Sequence, residues 1–217
     1  MIELKDLTKY YFLRGKRTTV ADRISATFPS GRTIALLGRN GAGKSSLLRM
    51  IAGTMLPNSG EIKVTGSMSW PVGFAGSFHR DLTGAQNTIF IARVYGVDTH
   101  ELCEYVQDFS ELGQHFHLPV RTYSSGMRSR LAFGISMGIQ FDTYLVDEVT
   151  SVGDAAFKRK SRDVFVERMK VSGAIMVSHN MNMIRDVCDE AAILEHGRLT
   201  YYKDVKEAIK RHKELTV

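Results

Sequence analysis

Between an apolar run at 33–37 and a helix-forming stretch at 43–52 lies the octapeptide Gly38-Arg39-Asn40-Gly41-Ala42-Gly43-Lys44-Ser45. No other segment limits the fold as much, because it asks for a buried strand, then a tight turn, then a helix. Glycines let the turn wrap with its N–H groups pointing inward, and the helix start adds the positive end of its dipole. The octapeptide therefore fits the pattern of a phosphate-cradling P-loop. In that pattern Lys44 reaches the β- and γ-phosphates of a nucleotide, and the Ser45 hydroxyl holds Mg²⁺. A glycine-rich turn that merely ended in Lys-Ser would need neither the strand before it nor the helix after it.

Three more apolar runs, at 144–146, 174–177 and 191–194, are short and nearly continuous. Strands buried on both faces of a parallel sheet read in this way. Helical patterns follow at 155–170 and 181–188, so strand alternates with helix and an α/β sheet with right-handed crossovers is expected. Segments 87–95, 100–112 and 125–139 read as helices with no convincing strand among them. They predict a helical subdomain at about 84–139 inserted into a core formed by about 1–83 and 140–217, the whole 1–217 being one domain. The stretch 204–213 reads as a surface helix.

The run Tyr144-Leu145-Val146-Asp147-Glu148 brings a carboxylate to the C-terminal edge of the sheet, where α/β proteins bind ligands. Asp147 there can hold Mg²⁺ through water, and Glu148, facing the other way, can act as general base toward an attacking water. Val177-Ser178-His179 ends another strand at the same edge. His179 can hydrogen-bond a γ-phosphate and orient Glu148 or its water. Tyr123-Ser124-Ser125-Gly126-Met127 looks by itself like an ordinary helix N-cap; it becomes informative by lying 23 residues before Asp147, inside the helical insertion.

Composition narrows the setting. No run of about 18 apolar residues exists, so no membrane span is expected, and the N-terminus lacks the apolar core of a signal peptide. Cys103 and Cys188 have no partner or ligand spacing, which suits a reducing, cytoplasmic compartment. The net charge of +6 invites an anionic partner, but no long basic block supports nucleic acid. Lys158-Arg159-Lys160 with Arg162 reads as a solvated helix face, and His115 and His117 as a loop surface.

Taken in order and spacing, these segments resemble the nucleotide-binding subunits of ATP-binding-cassette transporters, over nearly the whole chain. The resemblance implies a P-loop NTPase core with a mostly parallel sheet, N-terminal antiparallel β elements and the inserted helical subdomain. It implies ATP and Mg²⁺ as cofactors. Its ATP-binding set is Tyr11 (stacking on adenine, with Tyr10 as rival), Gly38, Arg39, Asn40, Gly41, Ala42, Gly43, Lys44, Ser45 and Ser46. Metal ligands would be Ser45 and Asp147, and catalytic residues Glu148 and His179. Ser124, Ser125 and Gly126 would contact the nucleotide of a second copy, and Asp154 would be the D-loop aspartate.

Ser69-Trp70-Pro71-Val72-Gly73, Asp81-Leu82-Thr83-Gly84, Ala92-Arg93-Val94-Tyr95 and the 123–127 segment look like the capsular-polysaccharide exporter branch. O-antigen relatives carry an additional C-terminal sugar-binding domain; the sequence stops at Val217, soon after its core, so the capsule type is expected. Two departures stand out. The family's Leu-Ser-Gly-Gly-Gln is altered at Tyr123, Ser125 and Met127, with Ser124 and Gly126 kept. The usual core–insertion glutamine has no counterpart, since Gln86 lies past its place and residues 74–79 occupy it. The resemblance implies a homodimeric ATPase on the cytoplasmic face of the bacterial inner membrane, driving two permease subunits and working with envelope-spanning export proteins. A soluble cassette ATPase of DNA repair or translation is the alternative; a P-loop kinase would need neither the signature segment nor His179. Trp70, Phe74 and Phe78, in a loop rich in Gly and Ser, are either core or, as expected here, anchors for the membrane partner.

Overall fold

The computed structural model describes residues 1–73, 76, 78–147 and 154–216, apart from the side chains of Leu13 and Thr216. The chain divides into two compact units. One comprises Met1–Pro71, Phe141–Glu148 and Met169–Val217; the other comprises Val72–Gln140 and Val149–Arg168. The helical stretch read from the sequence falls within the second unit, which also takes in the segment before it and a further helix.

The first unit opens with a long hairpin, β1 (Ile2–Leu13) and β2 (Lys16–Phe28). Its two connecting residues, Arg14 and Gly15, both have positive φ, 50° and 76°. A two-residue turn of that hand matches the twist of the strands it joins. β3 (Thr33–Leu37) is buried at every residue and leads through the glycine loop to α1 (Lys44–Ile51). β4 (Ser59–Val64) returns to pair antiparallel with β1, giving a sheet of order β2-β1-β4. The second sheet has order β5-β6-β7-β3-β8-β9, from β5 (Met68–Pro71), β6 (Thr143–Asp147), β7 (Gly173–Val177), β8 (Glu190–Glu195) and β9 (Arg198–Tyr202). Only β9 runs antiparallel to its neighbour.

This order explains the composition of β3. It lies between β7 and β8 and is covered on both faces, so all five residues are apolar or, for Thr33, bonded through its N–H to Asp189. The core of the unit joins the inner side of β1 and β2 (Ile2, Leu4, Leu7, Ile24, Phe28) to β3 and to Leu47, Leu48 and Ile51 of α1. The unit is completed by α6 (Met181–Val187) and α7 (Val205–Thr216).

In the second unit α2 (Gly84–Tyr95), α3 (Thr99–Ser110), α4 (Ser125–Gly138) and α5 (Ala155–Met169) pack around aromatic rings. Phe109 stacks on Tyr105 and Phe133 and meets Phe157 edge-on, with centroids 5.4–5.9 Å away. Offset and edge-on pairs of this kind add to the area they bury. The Arg130 guanidinium lies 4.4 Å over Phe157 while binding Asp154 at 2.8 Å, so one cation ties α4 to the start of α5.

Residues 78–83 are held firmly to α2. Asn87, 2 % exposed, donates to the carbonyls of His79, Leu82 and Thr83 and accepts from the His79 N–H. Phe78 is buried, and Trp70 packs edge-on against buried Phe141. Phe78 is therefore core, which corrects the expectation that it is an exposed anchor, while Trp70 is half-buried. Phe74 lies outside the described residues. Gln86 closes a reciprocal capping box with Thr83, which occupies its side chain in starting α2.

Candidate functional site

The loop after β3 is shaped by two glycines with separate steric reasons. At Gly43 φ is 103°, and a Cβ would lie 2.1 Å from Val20 Cγ1 on β2. At Gly38 a Cβ would lie 2.4 Å from the Leu194 carbonyl oxygen on β8. Any other residue would push the loop off the strands that support it. α1 starts at Lys44 with no side-chain cap and no acidic residue in its first turn. A helix start of this kind, without a capping side chain or a first-turn carboxylate, is the arrangement an anion completes. Lys44 Nζ donates to the Gly38 and Arg39 carbonyls at 2.8 and 3.1 Å, so the ammonium is folded over the loop. Ser45 is exposed and Ser46 half-buried in the same turn, and Arg39 and Asn40 are exposed.

Parallel strand order brings the other residues to the same edge. Asp147 ends β6 and is paired with Val177, the last residue of β7; His179 follows two residues later, exposed. Between β6 and β3 stands only β7. At strand spacings of about 4.8 Å, Asp147 therefore sits roughly 10 Å across the sheet from the loop, with the His179 segment between. Asn180 caps α6 by accepting from Asn182 and Met183, fixing the turn that carries His179. Glu148 lies outside the described residues.

Tyr11 is exposed, with Lys9 Nζ 5.2 Å from its ring centroid and its hydroxyl on the Met55 sulfur. It pairs with Thr18, two residues before the Val20 that touches Gly43, about 7 Å along the strand. Tyr10 is covered instead by Arg17, 4.1 Å over its ring, and by Phe12. A flat aromatic surface near the loop is thus offered by Tyr11 rather than Tyr10.

In the second unit, Ser124 is the N-cap of α4, its hydroxyl accepting from the Met127 N–H at 3.2 Å. The departure at Tyr123 has a local cause: the ring is buried and its hydroxyl donates to the His115 carbonyl. Gly126 differs from the loop glycines. Its φ is not positive, and a Cβ there would meet nothing closer than Ser124 Oγ at 3.9 Å. Among the described residues nothing requires a glycine at 126. Asp154 caps α5, accepting from Ala156 and Phe157 and from Arg130. The Phe157 amide, then the Ala156 amide and Arg130, hold its carboxyl below the ordinary value against some desolvation.

Sequence reading placed a helix at 204–213 but missed what α7 packs against. A pocket of about 290 Å³ is lined by loop residues 38–42, by residues 193–196 at the β8–β9 corner, and by His212 and Leu215 of α7. The helix expected as a plain surface element buries Val205, Ala208 and Ile209. The signal was present: positions 205, 208, 209 and 212 follow the i, i+3, i+4, i+7 pattern that puts His212 on the buried stripe. Desolvation, then the Lys44 ammonium and His179, lower the His212 pKa from its ordinary 6.5.

A buried parallel sheet, a glycine loop feeding an uncapped helix, and a carboxylate and an imidazole on the neighbouring strand ends define a nucleotide-binding cassette with a helical insertion. The ABC transporter family matches residues 21–151, and the chain belongs to it. Among proteins of that family it is 47% identical to the polysialic acid transport ATP-binding protein KpsT of Escherichia coli, covering 98% of this chain and 96% of that one. It is 43% identical to the capsule polysaccharide export ATP-binding protein CtrD of Neisseria meningitidis serogroup B, covering 99% and 100%. Among solved folds, the ATP-binding subunit of an ABC transporter superposes with a TM-score of 0.82 at 22% identity, covering 99% of this chain and 94% of that one. A dimeric post-hydrolysis state of the cassette MJ0796 bound to ADP and Pi gives 0.78 at 17%, covering 94% and 98%.

Proposed function

We propose that this chain is the ATP-hydrolysing subunit of an ABC transporter that powers export of a capsular polysaccharide across the bacterial inner membrane. The observation that carries this is likeness along the full length, at 43–47% identity, to ATP-binding proteins of polysialic acid and capsule export. ATP binds with its phosphates in the 38–46 loop. The backbone N–H groups and the first turn of α1 donate to phosphate oxygens, Lys44 leaves its loop carbonyls for the β- and γ-phosphates, and Tyr11 stacks on adenine. Ser45 and Asp147 offer a hydroxyl and a carboxylate, hard oxygen donors that suit Mg²⁺; when bound, the ion neutralises phosphate charge. Glu148 takes a proton from the attacking water and His179 orients it against the γ-phosphate.

The site is completed by a second copy of the chain. Ser124, Ser125 and Gly126 of one subunit close over the nucleotide of the other, and the vacant side of Gly126 is the observation that supports this. Asp154 sits next to that contact. Opening after hydrolysis moves two permease subunits, and with them the envelope-spanning export proteins, from the cytoplasmic face of the membrane. The described helices contain none long and apolar enough to cross a bilayer, so a separate permease carries the polymer path. With Phe78 in the core, its docking surface is better sought on α2, where Phe90 and Val94 stand one turn apart, 60% and 61% exposed.

The test is complementation. In cells lacking their own capsule-export ATP-binding subunit, this chain should restore surface polysaccharide, and Lys44→Ala should not. Purified Lys44→Ala should also lose affinity for a fluorescent ATP analogue. Failure of the wild-type chain to restore export, or full ATP affinity in the variant, would overturn the reading.

A further inference from the structure

The pocket against residues 38–42 has one wall that belongs to no strand end: His212 and Leu215 of α7. His212 is electrostatically coupled to Lys44 and His179, the two side chains read above as converging on the terminal phosphate. His212 therefore shares its pocket with the backbone of the phosphate-cradling loop at 38–42. We propose that His212 is an additional phosphate contact, a C-terminal-helix side chain that senses the terminal phosphate and helps distinguish a nucleoside triphosphate from a diphosphate. This rests on the nucleotide reading of the 38–46 loop.

The charge environment gives the contact its character. Facing His212 across the pocket are Arg39 from the loop and Glu195 and His196 from the β8–β9 corner, the last two 3.8 Å apart. α6, packed on α7, carries Arg185 and Asp186 in its last turn, and Arg211 and Glu214 pair with each other on α7. Burial, then the neighbouring Lys44 and His179, lower the His212 pKa and so favour the neutral imidazole. A γ-phosphate placed among these groups reverses the balance, because an anion within hydrogen-bonding reach favours imidazolium. Triphosphate binding should then draw a proton onto His212, whereas a diphosphate, one phosphate further from α7, should draw less. Leu215 supplies the apolar side of the wall, which keeps the dielectric low and the interaction strong.

The experiment uses the full chain and competition of ATP and ADP against a fluorescent analogue, at pH 6.5 and pH 8, with His212→Gln and His212→Ala. For the wild type, the ratio of ATP to ADP affinity should rise severalfold on going from pH 8 to pH 6.5. It should be flat in both variants. At pH 6.5 each variant should bind ATP roughly tenfold more weakly, the scale of one hydrogen bond to a charged group, with ADP unchanged. Equal losses for ATP and ADP, or a pH-independent ratio in the wild type, would overturn the proposal. Should His212→Ala unfold the chain, the closer-sized His212→Gln still decides it. Loss of ATP binding in Lys44→Ala distinguishes failure here from failure of the nucleotide reading.

Discussion

Gly126→Ala separates what this chain needs for itself from what a second copy would need of it. Gly126 is the second residue of α4, has no positive φ, and has open space where a Cβ would stand, with Ser124 Oγ at 3.9 Å the nearest atom. The added methyl therefore meets ordinary van der Waals contact at most and leaves the Ser124 cap on Met127 intact. Replacing a helical glycine by alanine without strain stabilises by about 0.5–1 kcal/mol, through the lost freedom of the unfolded chain. For a chain of this size that is a rise in Tm of about 1–4 °C. In the proposed dimer the same methyl points at a nucleotide held by the other subunit, where overpacking costs about 1–3 kcal/mol. Turnover should fall roughly 5- to 150-fold at about 1.4 kcal/mol per factor of ten. Thermal unfolding of the nucleotide-free protein and steady-state phosphate release at dimer-forming concentrations read the two effects separately. A destabilised variant would assign the glycine to local packing. A stabilised variant with undiminished turnover would remove the contact across the dimer.

Glu148→Gln should keep ATP affinity, lower turnover by at least about 10²-fold and accumulate a dimer in ATP by size-exclusion chromatography; wild-type turnover would move the base role to another residue. Gly43→Ala should destabilise by about 2–5 kcal/mol in urea unfolding, from about 1–2 kcal/mol for a left-handed residue and about 1–3 kcal/mol for the 2.1 Å approach to Val20. Gly41→Ala, with φ 79° and nothing within 4 Å, should show the backbone share alone, and equal losses in the two would refute the packing argument. Phe78→Asp should lose at least the ~3–5 kcal/mol of a truncated buried phenylalanine and yield little folded protein; a stable variant would reopen its role as a surface anchor.

The sequence by itself determined the buried strands of the parallel sheet and the strand–loop–helix order around the glycine loop. A fully buried central strand has to be continuously apolar, so 33–37, 174–177 and the runs at 144–146 and 191–194 could be read within a residue or so of their observed bounds. The glycine loop was legible because its steric demands are local, as Gly38 and Gly43 show. Tertiary structure alone decided which groups meet. Strand order β6-β7-β3, which no local pattern encodes, sets Asp147 and His179 beside the loop. Burial, which depends on what another element covers, turned Phe78 from an expected anchor into core. The same dependence moved His212 from a surface helix to the wall of the pocket against the glycine loop, because a helix's apolar stripe shows that it packs but not against what.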